Sequence, residues 1–383
     1  MVAGVSAIGA PEIERTFTAS HATIALVLFV VPGAAGLALE PILFLLADRH
    51  PRRHFVRGGL AALAVAAIAA ALAPGPALLA AALAVGYVAS GAASSLAQAT
   101  VVDRAPDARG RTLARWTLLG VAGDLAAPAM MAALAALGAT WRAGFAAVAA
   151  VLIGWTALVW ARPFPEPARA AEADDPPAPL WAALRAALAD RRLVWWLFAT
   201  ALCDLLDELF VVFASIHVRD DLGASAWWQS ATVAAFVAGG ALGLATLDRV
   251  LRRHGELAVL VAASVACAVS YAAWLAAPSA WACALAIVPV GATASVLYPL
   301  ASAQAYAARP GASGAVLAAS HLFTPLSLAL PWLVGAVADR AGTHVALALL
   351  AAQPIGIAVI SACAASGRAT PGPRRATSSS SGA

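Results

Sequence analysis

Apolar runs long enough to cross a bilayer recur along almost the whole chain, and no water-soluble fold can bury that many. They cover about 22–47, 55–73, 77–102, 113–138, 142–161, 193–217, 226–247, 257–277, 280–306 and 314–338, with an eleventh over about 343–364. A spanning helix needs roughly 20 mostly apolar residues, which each run supplies. The runs are apolar all round rather than along one stripe, as helices packed among lipid and other helices are. Bulk composition agrees. The 383 residues are 62% hydrophobic and 11% charged, with a mean hydropathy of +0.83. Soluble domains are about half apolar and a quarter charged. The expected fold class is an all-α, polytopic membrane protein.

Every one of the 24 basic residues is Arg. They lie in short clusters between apolar runs rather than along one face, so the net charge of +4 is not a nucleic-acid footprint. Loops 48–57, 103–115, 162–192, 248–256 and 306–313 plus the C-terminal tail carry 20 Arg, whereas the alternate set carries four: Arg15, Arg142, Arg219 and Arg340. Positive charge favours the cytoplasmic side. The linker and C-terminus are therefore expected in the cytoplasm and residues 12–20 outside, across a bacterial inner membrane. Cys203, Cys267, Cys283 and Cys363 are scattered singly in apolar runs with no metal-ligand spacing. They read as small apolar packing residues.

Residues 162–192 break the pattern with Pro163, Pro165, Pro167, Pro176, Pro177 and Pro179 among Glu166, Glu172, Asp174 and Asp175. They read as a polar linker. In its last part Leu180, Trp181, Leu184 and Leu188 recur at helical spacing, which fits an amphipathic surface helix. From Gly367 onward the tail is polar and of low complexity, and is expected to be disordered. The chain thus divides into an N-terminal bundle over 1–161, a cytoplasmic linker over 162–192, a C-terminal six-helix bundle over 193–366 and a tail over 367–383.

The two halves are related. Residues 48–54 read DRHPRRH and residues 248–254 read DRVLRRH, agreeing at five of seven positions. Gly91, Ala92 and Ser95 match Gly291, Ala292 and Ser295. Pro106, Ala108, Gly110, Leu113 and Ala114 match Pro310, Ala312, Gly314, Leu317 and Ala318. Repeats that share one membrane orientation need an even number of spans each. The second half supplies six, and the first does so only if a helix reaches residue 11. Residues 1–10 are apolar but too short to cross, and no basic leader precedes a long apolar core. The expectation is eleven full spans plus a stub of the first helix, with the true start codon upstream.

The Asp-Arg-x-x-Arg-Arg loop after the second span of each half resembles the signature loop of the major facilitator superfamily. Asp48, Arg49, Arg52 and Arg53 match it, as do Asp248, Arg249, Arg252 and Arg253 in the repeat. Phe44 and Pro51 stand where the family has Gly. APEIERTF at 10–17 resembles the stretch that follows the family's first helix. The resemblance implies two pseudo-symmetric six-helix bundles and alternating access around a midplane site, with the two charged loops as gates. Gly123 and Pro128 fit the family's antiporter motif, while Ala114 and Ala127 replace its Gly. Tyr87 stands where many proton-coupled exporters of the family carry Arg.

Ionisable groups inside a membrane are costly and normally face the bundle interior. Asp204, Asp207 and Glu208 share one helical stripe in CDLLDEL (203–209), and Asp124 lies midway along its own span. These four are the candidates for proton coupling or substrate binding. Glu40 beside Pro41, and His321 in ASHLFTPL, are secondary candidates for which local structural pairing is the competing role. Tyr298, Gln304 and Gln98 are polar enough to line a cavity. Trp195, Trp196, Trp227 and Trp228 at span ends read as interfacial anchors. No metal or cofactor site is expected. No Walker A, GxSxG or HExxH motif occurs, so neither ATP-driven pumping nor enzymatic activity is expected. The expected function is secondary transport of a small organic molecule, driven by protons and running as export by a monomer in the bilayer; metabolite uptake, or a membrane sensor or scaffold, are the competing readings.

Overall fold

The computed structural model describes residues 2–166 and 179–369, and these are helical throughout their ordered elements. Part of the linker and most of the tail expected to be disordered lie outside the described residues. The N-terminal bundle comprises α1 (Val2–Phe17), α2 (His21–Ala47), α3 (Arg52–Ala71), α4 (Pro76–Asp103), α5 (Arg109–Ala136) and α6 (Trp141–Ala161). The linker ends in α7 (Leu180–Ala189). The C-terminal bundle begins with α8 (Arg191–Leu202) and α9 (Phe210–Asp220). It continues through α10 (Ala226–Leu251), α11 (Glu256–Leu275), α12 (Ala280–Ala308), α13 (Ser313–Ala341) and α14 (Thr343–Ser366). Ten of these helices are long and apolar enough to cross a membrane. Their outward faces carry bare apolar side chains such as Leu119, Leu137 and Trp332, each more than 70% exposed, which only a lipid environment tolerates.

The seventh pass departs from the expected continuous helix. α8 and α9 are joined by a π turn over Leu205–Leu209, which inserts extra backbone into the helix and alters the rotation of the residues after it. Further π turns occupy Leu26–Val30 of α2 and Gly91–Ser95 of α4. The expected stub is an ordered helix held to its bundle by polar contacts. Glu12 accepts a hydrogen bond from the backbone N–H of Trp141 at 2.9 Å and so caps α6, and the Trp141 indole N–H donates to Thr16 Oγ1 at 3.2 Å. α1 packs on both α5 and α6.

Small residues bring helices close. Gly239 and Gly243 of α10 face the carbonyls of Val288 and Ala292 of α12, and Gly291 of α12 faces the Phe236 carbonyl. Any Cβ at these positions meets backbone, so the two helices approach as closely as their chains permit. Beyond this seam Phe210, Tyr271 and Trp274 form an aromatic cluster, with Phe210 and Trp274 at 4.7 Å and near-perpendicular. The Tyr271 hydroxyl donates to the Leu347 carbonyl at 2.7 Å. Trp196 is 1% exposed and packs inside the C-terminal bundle. It is not the interfacial anchor expected from its position, because it falls on the inward side of α8 while its neighbour Trp195 faces out.

The buried apolar cores describe how the halves meet. One cluster fills the C-terminal bundle and continues onto Phe44, Leu96, Val102, Leu113 and Ala114 of the N-terminal bundle. All five lie toward the helix ends that adjoin the Arg-rich loops. The opposite ends of the N-terminal helices (Ile13, Ile24, Val27, Leu79, Trp141 and Phe145 among them) form a separate cluster. The bundles are therefore sealed together on the Arg-rich side and are not joined by a shared core on the other.

Candidate functional site

The acid-bearing segment is built around the π turn. A π turn leaves backbone groups without their α-helical partners. Here the Leu206 N–H donates to Oε1 of Gln353, a fully buried residue of α14, at 2.7 Å. Asp204, at the entry to the turn, accepts from Ser327 Oγ of α13 at 2.6 Å. Asp207 and Glu208 are exposed, and Asp207 lies within Coulombic reach of both Asp204 and Glu208. Tyr298 of α12 lies within reach of Asp204 and hydrogen-bonds Ser302 and, across the bundle boundary, Gln98 of α4. The Ser327 hydroxyl is the hydrogen-bond partner found for Asp204, and no basic side chain among the described residues is hydrogen-bonded or ion-paired to any of the three. Asp124 is exposed on α5, and no hydrogen bond or ion pair joins it to the acid turn among the described residues.

Glu40 and His321 come together. They belong to different bundles, yet His321 Nε2 lies 3.3 Å from Glu40 Oε2. Glu40 is 7% exposed, and Gly91 in the π turn of α4 leaves room for its carboxylate. Tyr87, the residue standing in for the family Arg, is within Coulombic reach of both Glu40 and Glu208.

The first charged loop forms a gate of buried polar contacts. Asp48 accepts from the backbone N–H groups of Gly314 and Ala315, both at 2.9 Å, and so caps the start of α13 across the seam. A carboxylate at a helix N-terminus meets free N–H groups and the positive end of the dipole. The Arg52 guanidinium donates to Asp48 at 3.1 Å, Asp103 at 2.8 Å and Ser313 Oγ at 2.5 Å. Ser313 in turn donates to Asp103 at 2.6 Å. Burial pushes the Asp48 carboxyl above its ordinary value, against the pull of Arg52 and the two amides. In the linker, Glu166 accepts from the Arg52 and Arg53 N–H groups at 3.1 and 3.0 Å and caps α3. The Arg53 side chain is exposed, and Arg49 is partly buried.

The second loop is not a copy of the first in its contacts. Asp248 pairs with Arg252 on its own helix at 2.9 Å and with Arg115 of the other bundle at 3.2 Å. The Gly110 N–H, equivalent in the repeat to that of Gly314, is taken by Glu256 at 2.7 Å. Arg249, Arg252 and Arg253 are exposed. Sequence reading missed Gln353, Ser327, Glu166 and Glu256. Gln353 carried a usable signal, an amide inside an apolar run, while the others become visible only once helices are packed.

The hydrogen bonds and ion pairs found between the bundles all lie toward the Arg-rich side. The family model of the Major Facilitator Superfamily matches residues 1–319. Solved structures share the fold over nearly their full lengths. The E. coli fucose:proton symporter FucP is 15% identical with a TM-score of 0.75, covering 94% of this chain and 95% of that one. A bacterial homologue of the iron transporter ferroportin in its outward-facing state is 16% identical with a TM-score of 0.71, covering 95% and 97%. The human organic anion transporter MFSD10 is 18% identical with a TM-score of 0.64, covering 92% and 88%. Among curated proteins no match is found. Two packed helical bundles, a charged loop repeated in each, and this agreement in sequence pattern and fold place the chain in the major facilitator superfamily, and it is a secondary transporter.

Proposed function

We propose that this transporter exports a small organic molecule in exchange for protons, and that Asp204, Asp207 and Glu208 carry the protons. The supporting observation is the acid turn itself: three carboxylates on a π-interrupted helix, one of them held by a hydroxyl, with no basic side chain among the described residues hydrogen-bonded or ion-paired to them. Such a cluster holds its full charge only at a cost in a membrane interior, so binding a proton or a substrate there is favourable. The Arg distribution supports a cytoplasmic sealed face in a bacterial cell, and on that reading the sealed arrangement is the outward-open state. Protons from outside then load the acids and release substrate outward. Rocking of the bundles breaks the Asp48 and Asp248 contacts and opens the cytoplasmic side. There the acids deprotonate and take substrate. Asp124, exposed on α5, is assigned to the same cavity. The partners are the substrate, protons and the lipid bilayer, and the working unit is a monomer.

The printed description of one solved relative is a proton symporter, and the same acid turn serves uptake if proton and substrate travel together. A growth screen of an overexpressing strain against toxic compounds supplies a substrate. Flux of that compound in proteoliposomes under an imposed proton gradient then tests coupling and direction. Asp204→Asn and Asp207→Asn are expected to insert normally and to lose proton-driven flux by about a hundredfold, the low end of what a positioned proton-transfer group contributes. Full flux in both variants would overturn the assignment.

A further inference from the structure

The Glu40–His321 contact has the geometry of a device rather than of a local structural pair. It joins α2 of one bundle to α13 of the other. It lies about two helical turns inside Asp48 along α2, between the polar gate and the acid turn. His321 sits in a short 3₁₀ segment that interrupts α13, and its second nitrogen, Nδ1, is buried with no hydrogen-bond partner. A cavity of about 300 Å³ between α2, α7 and α13 reaches the imidazole.

The surroundings contain few competing charges. On α2 the next ionisable group is Asp48, already engaged by Arg52 and the α13 amides. Tyr87 of α4 lies within Coulombic reach of both Glu40 and Glu208. The linker helix α7 presents Trp181, Leu184 and Leu188 to the cavity, while its Arg185 is exposed. Phe44 stacks near His321 at 5.9 Å between ring centres. His321 is thus the basic group in contact with Glu40, and it carries that charge only when protonated.

We propose that Glu40 and His321 form a proton-dependent latch that holds the bundles closed on the Arg-rich side. With His321 protonated, the ion pair ties α2 to α13. When His321 gives up its proton to water, or Glu40 takes one, the ion pair is reduced to a hydrogen bond and the closed state loses part of its advantage. Histidine is the side chain whose charge most readily follows solution pH, so the balance of states is expected to follow pH. The latch rests on the chain being an alternating-access transporter, but not on the acid turn as its coupling site. Asp207→Asn flux therefore tests the coupling site alone, and the comparison of latch variants with the otherwise unchanged protein in the following experiment tests the latch.

Spin labels at Asp107→Cys and His254→Cys, one on each bundle at the Arg-rich face, with Cys363→Ser, report opening as a distance by double electron–electron resonance in nanodiscs. The protein otherwise unchanged is expected to shift toward longer distances as pH rises from 5.5 to 8.5. His321→Arg, a permanent cation, is expected to keep the short distance over that range. His321→Gln and Glu40→Gln are expected to give at least about threefold more of the long-distance population at pH 5.5. The exchanged pair Glu40→His with His321→Glu is expected to restore the pH response. A distance distribution in the labelled protein that does not move with pH overturns the latch without recourse to any latch variant. An unchanged pH response in His321→Arg overturns it as well.

Discussion

The Arg52 guanidinium is 4% exposed and joins Asp48, Asp103 and Ser313, whereas its repeat partner Arg252 is exposed and pairs with Asp248 on its own helix. The two residues occupy the same place in the motif but differ in solvation. Removing one partner of a buried ionic network strands the remaining charges and costs about 3–5 kcal/mol. An exposed pair contributes about 0–1 kcal/mol. Arg52→Ala is therefore expected to lower the apparent melting temperature in detergent by several degrees and to loosen the closed seam. Arg252→Ala is expected to leave both nearly unchanged. Fluorescence-detected size exclusion after heating measures the difference, and equal shifts in the two variants would contradict the asymmetry. Gln353→Leu makes a second test at this scale. It removes the acceptor of the buried Leu206 N–H, which is expected to destabilise the π turn by about 1–3 kcal/mol, while Gln353→Glu retains an acceptor and is expected to lose less.

At the level of elements, helix contacts set which glycines matter. Gly243 of α10 faces the Ala292 carbonyl, while Gly123 of α5, the match to the antiporter motif, has open space where a Cβ would stand. Gly243→Val is expected to force α10 and α12 apart at a cost of about 1–3 kcal/mol or more and to reduce the yield of folded protein. Gly123→Ala is expected to fall within about 0.5 kcal/mol of the parent, as read by thermal stability of the purified protein. This contrast also marks what a sequence can show. The spans were legible because each apolar run is a physical requirement of crossing lipid, and the repeated charged loop was legible because its residue types are scarce in such a composition. The π turn at Leu205–Leu209 was not legible, since no residue type signals it, and regular α-helical spacing does not carry through it. The Glu40–His321 pair was not legible either, because two residues in different halves carry no local mark of contact. The inward placement of Trp196 was hidden for a related reason: Trp195 and Trp196 are chemically alike, and only the rotation of α8 in its bundle separates them.

For the whole molecule, the governing asymmetry is between its two faces. The side holding loops 48–51 and 252–255 has a shared apolar core and the inter-bundle polar contacts, and most of the Arg residues lie there. The opposite side keeps the N-terminal cluster apart. A transporter that alternates must be able to break the sealed side, which explains why its seal combines small apolar residues with polar contacts that water can replace. The proposed orientation puts the sealed side in the cytoplasm, because clustered Arg in short loops resist translocation. That orientation can be tested directly. Cys203, Cys267 and Cys283 are buried, and Cys363 is the exposed native thiol. In a Cys363→Ser background, His254→Cys and Ala139→Cys sit at opposite ends of their bundles' helices. A membrane-impermeant maleimide added to intact spheroplasts is expected to label Ala139→Cys and to spare His254→Cys until the membrane is opened. The reverse pattern would place the Arg-rich face outside, make the sealed state inward-open, and reverse the side from which protons load the acid turn.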